Sequence, residues 1–178
     1  MIELREATLD DADEMSVTVR QGFESYKAWA GPSYAPPPAA REAERLREGL
    51  ARPEAWAVVA LDGERMAGHA SLSQARDGRD GPVLPGVGYL WQLFVREPWW
   101  GTGLARRLHA RVIEEAARQG YASMRLLTPQ GQARARAFYE REGWRTDGIP
   151  VPEPLLGIDL LLYTRGLPGS EGSAAPPS

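Results

Sequence analysis

The chain of 178 residues contains no cysteine. That absence excludes disulfides, thiolate metal sites and a cysteine nucleophile, and it fits an intracellular protein. Histidine is scarce too: His69 and His109 stand alone, without paired carboxylates at ligand spacing, so no metal site is expected. Neither sign of charge dominates. A formal net charge of -3 and a pI near 5.5 leave no electrostatic footprint for nucleic acid or an anionic membrane, and neither is expected as a partner. Nowhere do about 18 apolar residues follow one another, and the first residues, MIELREATLDD, lack the basic start and apolar stretch of a signal peptide. The expectation is a cytoplasmic protein without a membrane span.

What is present suffices for one core. With 43% hydrophobic residues in 19.6 kDa, a single domain is expected over residues 1–165. Residues 166–178, GLPGSEGSAAPPS, have nothing to bury and read as a disordered tail.

Ile2, Leu4 and Ala7 suggest a first strand, and Asp10-Asp11 an acidic start to a helix carrying Ala12, Met15, Val19 and Phe23 on one side. The prolines of residues 29–40, WAGPSYAPPPAA, forbid a helix interior and predict an extended loop with exposed aromatics. A second helix is expected over residues 39–51. AWAVVAL and MAGHASLSQ read as strands joined by an Asp-Gly hairpin turn, and RDGRDGPVLPG as a loop before a third strand, VGYLWQLFV. The next helix carries Leu104, Leu108, Val112 and Ala116 one turn apart and stops at Gly120. A strand (YASMRLLT), a short helix over residues 132–142 and two last strands, 144–146 and 158–164, complete a mixed α/β order with helices on both sheet faces.

The stretch LWQLFVREPWWGTGLARRL, residues 90–108, joins a strand to a helix through a Trp pair and a Gly-Thr-Gly turn. The first N–H groups of a helix lack internal partners and carry the positive end of its dipole, so a phosphate there collects several hydrogen bonds at once. Gly101, Gly103 and the small Ala105 let an anion approach the main chain. Alone, such a turn is equally an ordinary tight connection. It lacks the third glycine of a dinucleotide fingerprint and the lysine of a Walker loop.

A second segment, Ala135-Arg136-Ala137-Phe138-Tyr139-Glu140-Arg141-Glu142-Gly143-Trp144, follows a strand later. Together, the two resemble the GCN5-related N-acetyltransferase (GNAT) superfamily, whose motifs read Q/R-x-x-G-x-G/A and A-x-x-F-Y-x-x-x-G-F. The resemblance covers residues 2–165. It implies a central twisted, mostly antiparallel sheet of six to seven strands, with a splayed parallel pair holding acetyl-CoA as co-substrate. It also implies main-chain groups of Leu93, Phe94 and Val95 for the pantetheine amides, a pyrophosphate cradle of Gly101, Thr102, Gly103, Leu104, Ala105 and Arg106, and Gln132 and Ala135 beside the pantetheine arm. Trp100 stands where the family has Gln or Arg and is expected to bind the cofactor by packing along it or shielding the cradle, with Trp99 anchoring the loop; Gln132 stands where the family has Asn.

By the same resemblance Tyr139 is the general acid for the departing thiolate, with a core aromatic as its bland alternative. Phe138 and His109 read as core. The proton acceptor stays open among Glu24, His69 and water, because the strand before Gly101 offers no carboxylate ahead of Glu97. Phe23, Tyr26, Trp29, Tyr34 and Pro36–Pro38 are expected to build an acceptor pocket suited to an apolar or aromatic amine, or a loop pinned by its rings. The expected activity is direct acetyl transfer to a primary amine of a small molecule or peptide. A CoA-binding or acyl-CoA-binding sensor of the same fold, without turnover, stays open beside it. A homodimer is the family expectation.

Overall fold

Period-two alternation on one central strand divides the molecule. Along β2 (Trp56–Asp62), Trp56, Val58 and Ala60 are buried on one side and Ala57 and Val59 on the other. Such a strand has a packed layer on each face. The computed structural model describes residues 1–78 and 81–168. The other strands are β1 (Ile2–Glu6), β3 (Arg65–Arg76), β4 (Val83–Val95), β5 (Ser123–Pro129), β6 (Pro150–Glu153) and β7 (Ile158–Gly166). They form one seven-stranded sheet in the order β1-β2-β3-β4-β5-β7-β6. Only the β4–β5 pair is parallel.

On one face, α1 (Ala12–Tyr26) and α2 (Ala39–Leu50) bury Ala12, Met15, Val19 and Leu46 against Ala57, Val59 and Met66. Gly22 lets α1 come close, since a methyl there would fall 2.4 Å from the Phe94 ring. On the other face lie α3 (Leu104–Arg118) and α4 (Ala133–Arg141). The stripe Leu104, Leu108, Val112 and Ala116 is buried as its spacing predicts, against Trp56, Val58, Leu72 and Leu126. Each large apolar side chain so buried contributes about 1.5–3 kcal/mol.

Four local expectations change. β4 begins at Val83, so the Gly- and Asp-rich loop is shorter, and the β3–β4 pairing absorbs the irregular start through register shifts at Ser71/Leu72 and Gln74/Arg76. The strand expected at 144–146 is a single bridge, Arg145 to Thr164, beside a fully buried Trp144. The sixth strand is instead Pro150–Glu153. Its two prolines are tolerated because β6 is an edge that pairs with β7 alone. Gly166 closes β7, and Leu167 is buried with its N–H bonded to Ala122 O at 3.0 Å, so the body runs past residue 165. The remainder of the expected tail from residue 169 lies outside the described residues. No helix among the described residues is long and apolar enough to cross a membrane.

Both histidines are buried. His109 on α3 accepts a hydrogen bond from the Trp144 indole at 3.0 Å, tying α3 to the segment after α4. His69 on β3 contacts the Gln92 amide oxygen at 3.1 Å. Burial lowers the pKa of each from 6.5 to about 4. The folded chain therefore keeps both neutral where the unfolded chain takes up protons, and stability falls as pH drops from about 6.5 to 4. The full loss is about 3 kcal/mol per residue. Denaturant midpoints measured from pH 7 to pH 4 should fall through this window. His109→Gln, which keeps an acceptor for Trp144, should flatten the slope, and an unchanged slope would remove His109 from the effect.

Candidate active site

The parallel pair parts early. β4 and β5 are in register at Val87–Ser123, Gly88–Met124 and Tyr89–Arg125, after which β4 runs on to Val95 and β5 to Pro129 without pairing. A wedge opens between them. On its other edge β4 stays paired with β3, through Ala70–Leu93, His69–Phe94 and Gly68–Val95. Leu93, Phe94 and Val95 thus keep a strand edge towards the wedge. Their side chains serve the core: Leu93 and Val95 pack on the α3 side, and Phe94 lies 5.8 Å from Phe23 on the α1 side. Packing and main-chain presentation coexist at these residues.

A short 3-10 turn, Glu97–Trp99, then leads to the cradle. Trp99 is buried, donates from its indole to Asp62 at 3.3 Å and lies under the Arg65 guanidinium at 5.3 Å, so it fastens the loop to the β2–β3 hairpin. The Thr102 hydroxyl donates to Trp99 O at 2.7 Å and closes the turn, which leaves only its main chain for a ligand. Gly101 (φ 78°) and Gly103 (φ 82°) adopt the left-handed conformation that favours glycine, and a methyl on either would meet nothing within 4 Å. The space before the α3 start is open. Gly103 is the N-cap, no side chain caps the helix, and no acid lies in its first turn. The Leu104 side chain is buried in the core, so its N–H, with those of Ala105 and Arg106, is what α3 offers an anion. These residues fit a diphosphate. The Arg106 guanidinium lies 3.5 Å from Glu142 in an exposed ion pair.

Trp100 lies across the end of β4. Its indole donates to Val95 O at 2.6 Å, and the Arg134 guanidinium of α4 sits 4.7 Å from the ring centroid. Gln132 is the N-cap of α4 without a capping side-chain bond, and Ala135 packs on the core. The first turn of α4 therefore faces the cradle loop.

Tyr139 is buried on α4, with Phe138, Trp144 and Tyr163 rings at 5.3, 6.0 and 6.2 Å. Its hydroxyl makes no hydrogen bond among the described residues. Burial raises its pKa above that of a free phenol, and the Tyr26 and Tyr89 hydroxyls add to the rise. Tyr139 is thus a phenol that keeps its proton, a donor and not a base. Phe138 packs at the core edge as expected.

The aromatics of the loop are part-buried and not exposed, which is the ring-pinned alternative of the two readings. Tyr26 contacts Trp29 at 4.9 Å and Tyr34 at 5.9 Å, and the Tyr34 hydroxyl donates to Phe23 O at 2.8 Å. Trp29 lies on Gly131, and the loop touches the β6–β7 turn through Ser33 Oγ to Gly157 O at 3.2 Å. The rings pin the loop over the β5–α4 turn. Gly131 and Gly157, which wall this end, carried no local signal. Beside it a cavity of about 620 Å³ runs between α1 and the loop after β4, with Arg20, Glu24, Val95 and Trp100 on its walls. Glu24 is half-exposed there and paired with Lys27 at 2.5 Å. His69 is not in the cleft: fully buried, it meets Gln92, whose amide donates to buried Glu42 at 3.2 Å beneath α2. Neither Glu42 nor Gln92 stood out in the sequence.

The sheet order, the parted parallel pair and the glycine turn are those of an N-acetyltransferase fold. Residues 21–144 match the family model described as the acetyltransferase (GNAT) family, well over half of the chain. The chain belongs to the GNAT family of acetyltransferases. Among solved structures it is similar to the ribosomal-protein-alanine N-acetyltransferase of Brucella melitensis, with a TM-score of 0.72 at 21% identity over 93% of this chain and 99% of that one. The ribosomal-protein-S18-alanine N-acetyltransferase of Escherichia coli gives 0.69 at 16% over 98% and 100%. The PaiA N-acetyltransferase of Thermoplasma acidophilum, solved in complex with coenzyme A, gives 0.66 at 12% over 93% and 99%. No curated protein sequence matches.

The pinned loop makes Gly131 a sensitive position. A methyl there would fall 2.5 Å from the Trp29 ring. Gly131→Ala should cost about 1–3 kcal/mol and change the near-UV circular dichroism of the displaced indole. An unaltered spectrum and melting temperature would show that Trp29 does not rest on this turn.

Proposed function

We propose that the chain transfers the acetyl group of acetyl-CoA directly to a primary amine of a small molecule or peptide, with both substrates bound together. The observation that carries the reading is the uncapped, acid-free start of α3 at the end of an unpaired β4 edge, with the Tyr139 phenol on the facing helix. Main-chain groups of Leu93, Phe94 and Val95 would pair with the pantetheine amides in the manner of an added strand. The N–H groups behind Gly103 would hold the pyrophosphate, and Gln132 would reach the pantetheine arm.

Acetyl-CoA supplies the thioester. A neutral amine nitrogen bonds to the carbonyl carbon, the carbon–sulfur bond breaks, and the departing sulfur takes the Tyr139 proton. Burial keeps the phenol protonated and available as a donor throughout the working range, and the phenolate left behind regains its proton from solvent. The amine proton leaves to solvent or to Glu24, which lines the cavity beside Val95. Without cysteine no acyl-thioenzyme can form. The rings of Tyr26, Trp29 and Tyr34 support an acceptor with an apolar or aromatic group next to its amine. The names of two similar structures, which acetylate a ribosomal-protein alanine, support including peptide N-termini.

Free-thiol release from acetyl-CoA across a panel of amines, amino acids and peptides tests the reading. Tyr139→Phe should lower kcat about 10²- to 10⁴-fold with little change in CoA affinity. Full activity in that variant would remove the phenol from the mechanism. CoA binding without thiol release for any acceptor would point to a sensor, and no CoA binding would overturn the reading.

A further inference from the structure

Four arginines stand on the first turns of α3 and α4, the two helix starts that face the cradle: Arg106, Arg107, Arg134 and Arg136. Three are committed. Arg106 pairs with Glu142 at 3.5 Å, Arg107 donates to Ile2 O at 3.1 Å, and Arg136 donates to Gln130 O at 3.1 Å and lies 3.4 Å from the Tyr163 hydroxyl. Arg134 has neither a carboxylate nor any other hydrogen-bond partner among the described residues. It is exposed, and what it touches is the Trp100 ring.

That contact leaves its donors free. A guanidinium held over an indole face by cation–π attraction spends no N–H donor on an acceptor, so its five N–H groups remain available. The platform is itself held, because the indole N–H of Trp100 is bonded to Val95 O. A carbonyl oxygen has two lone pairs, so Val95 can still accept from a ligand. Trp100 immediately precedes Gly101, and the cation above it therefore stands beside the open ground at the start of α3.

We propose that Arg134, held over the Trp100 ring, is the side-chain cation of the pyrophosphate site. The indole at position 100 serves as its platform, and the positive charge comes from α4 instead of from the cradle loop. The proposal rests on the acetyl-CoA reading. It adds one charge-assisted contact from the far side of the wedge, so that a bound diphosphate would join the loop after β4 to the first turn of α4.

Dissociation constants for CoA, 3′-dephospho-CoA and pantetheine, measured by calorimetry on the full chain, test it. The native chain should bind CoA far more tightly than pantetheine, which has no phosphate; equal affinities would defeat the cradle reading itself. Arg134→Ala, an exposed helix position where folding should survive, should weaken CoA and 3′-dephospho-CoA alike by about 10- to 100-fold and leave pantetheine unchanged. If the loss disappears with 3′-dephospho-CoA, the cation serves the 3′-phosphate and the proposal fails. An unchanged CoA affinity in Arg134→Ala, with the native preference for CoA over pantetheine intact, overturns the proposal and spares the cradle. Trp100→Arg in the Arg134→Ala background returns a cation to the same region and should recover most of the lost affinity. Absence of recovery would mean that the loss was not one of charge.

Discussion

The site depends on where one strand pair stops. Three registered residue pairs hold β4 to β5, and past Tyr89–Arg125 the two strands go separate ways. The candidate site hangs on that parting. It frees one edge of β4 while the other stays paired to β3, and the ends of both strands lead to helices, α3 and α4, the second of which reaches the loop before α3 through Arg134 and Trp100. A fully paired β4–β5 ladder would have satisfied the same backbone groups internally and left nothing for a ligand.

The two tryptophans of the connecting loop divide a task that a single turn could not perform. Trp99 is buried and bonded to Asp62, which fixes the loop against the β2–β3 hairpin. Trp100 remains 41% exposed and bonds back to Val95, laying its ring over the end of the wedge. With the loop anchored on one side and the Thr102 hydroxyl closing the turn, Gly101 and Gly103 hold left-handed conformations at the start of α3. The glycines permit the geometry; the tryptophans and the threonine hold it there.

How far the sequence could be read follows from the range of the forces involved. The α3 stripe and its Gly120 stop, the β2–β3 hairpin and the Gly-Thr-Gly turn are short-range patterns, and each lies where its spacing placed it. The misses are long-range. β6 reads as a proline-rich loop until it is known to be an edge strand that pairs with β7 alone. Trp29 and Tyr34 look exposed in a proline loop because nothing nearby in sequence reveals that Gly131 and Phe23 await them. His69 stood among the open proton acceptors, with a satisfied surface or core histidine as the stronger reading, and its partners could not be read locally. It is enclosed with Gln92 and Glu42, residues 23 and 50 positions apart along its chain of contacts. Within the candidate site, the glycine turn at the start of α3 was legible because glycine positions encode it. The partners of Arg106 and Trp100 were not, because they come from α4.

In the proposed function most of the binding chemistry lies in the main chain, and side chains at family motif positions can then be unusual without loss of the fold. A helix start binds an anion through N–H groups that any residue supplies. An indole at position 100 is then no defect in the motif, provided that charge reaches the site from elsewhere. Tyr139 is the opposite case. Its proton cannot be supplied by backbone, its hydroxyl has no internal partner among the described residues, and its burial among Phe138, Trp144 and Tyr163 keeps it neutral. In the proposed reaction, substitution is tolerated along the glycine turn wherever φ and space allow, and punished at the buried phenol of Tyr139.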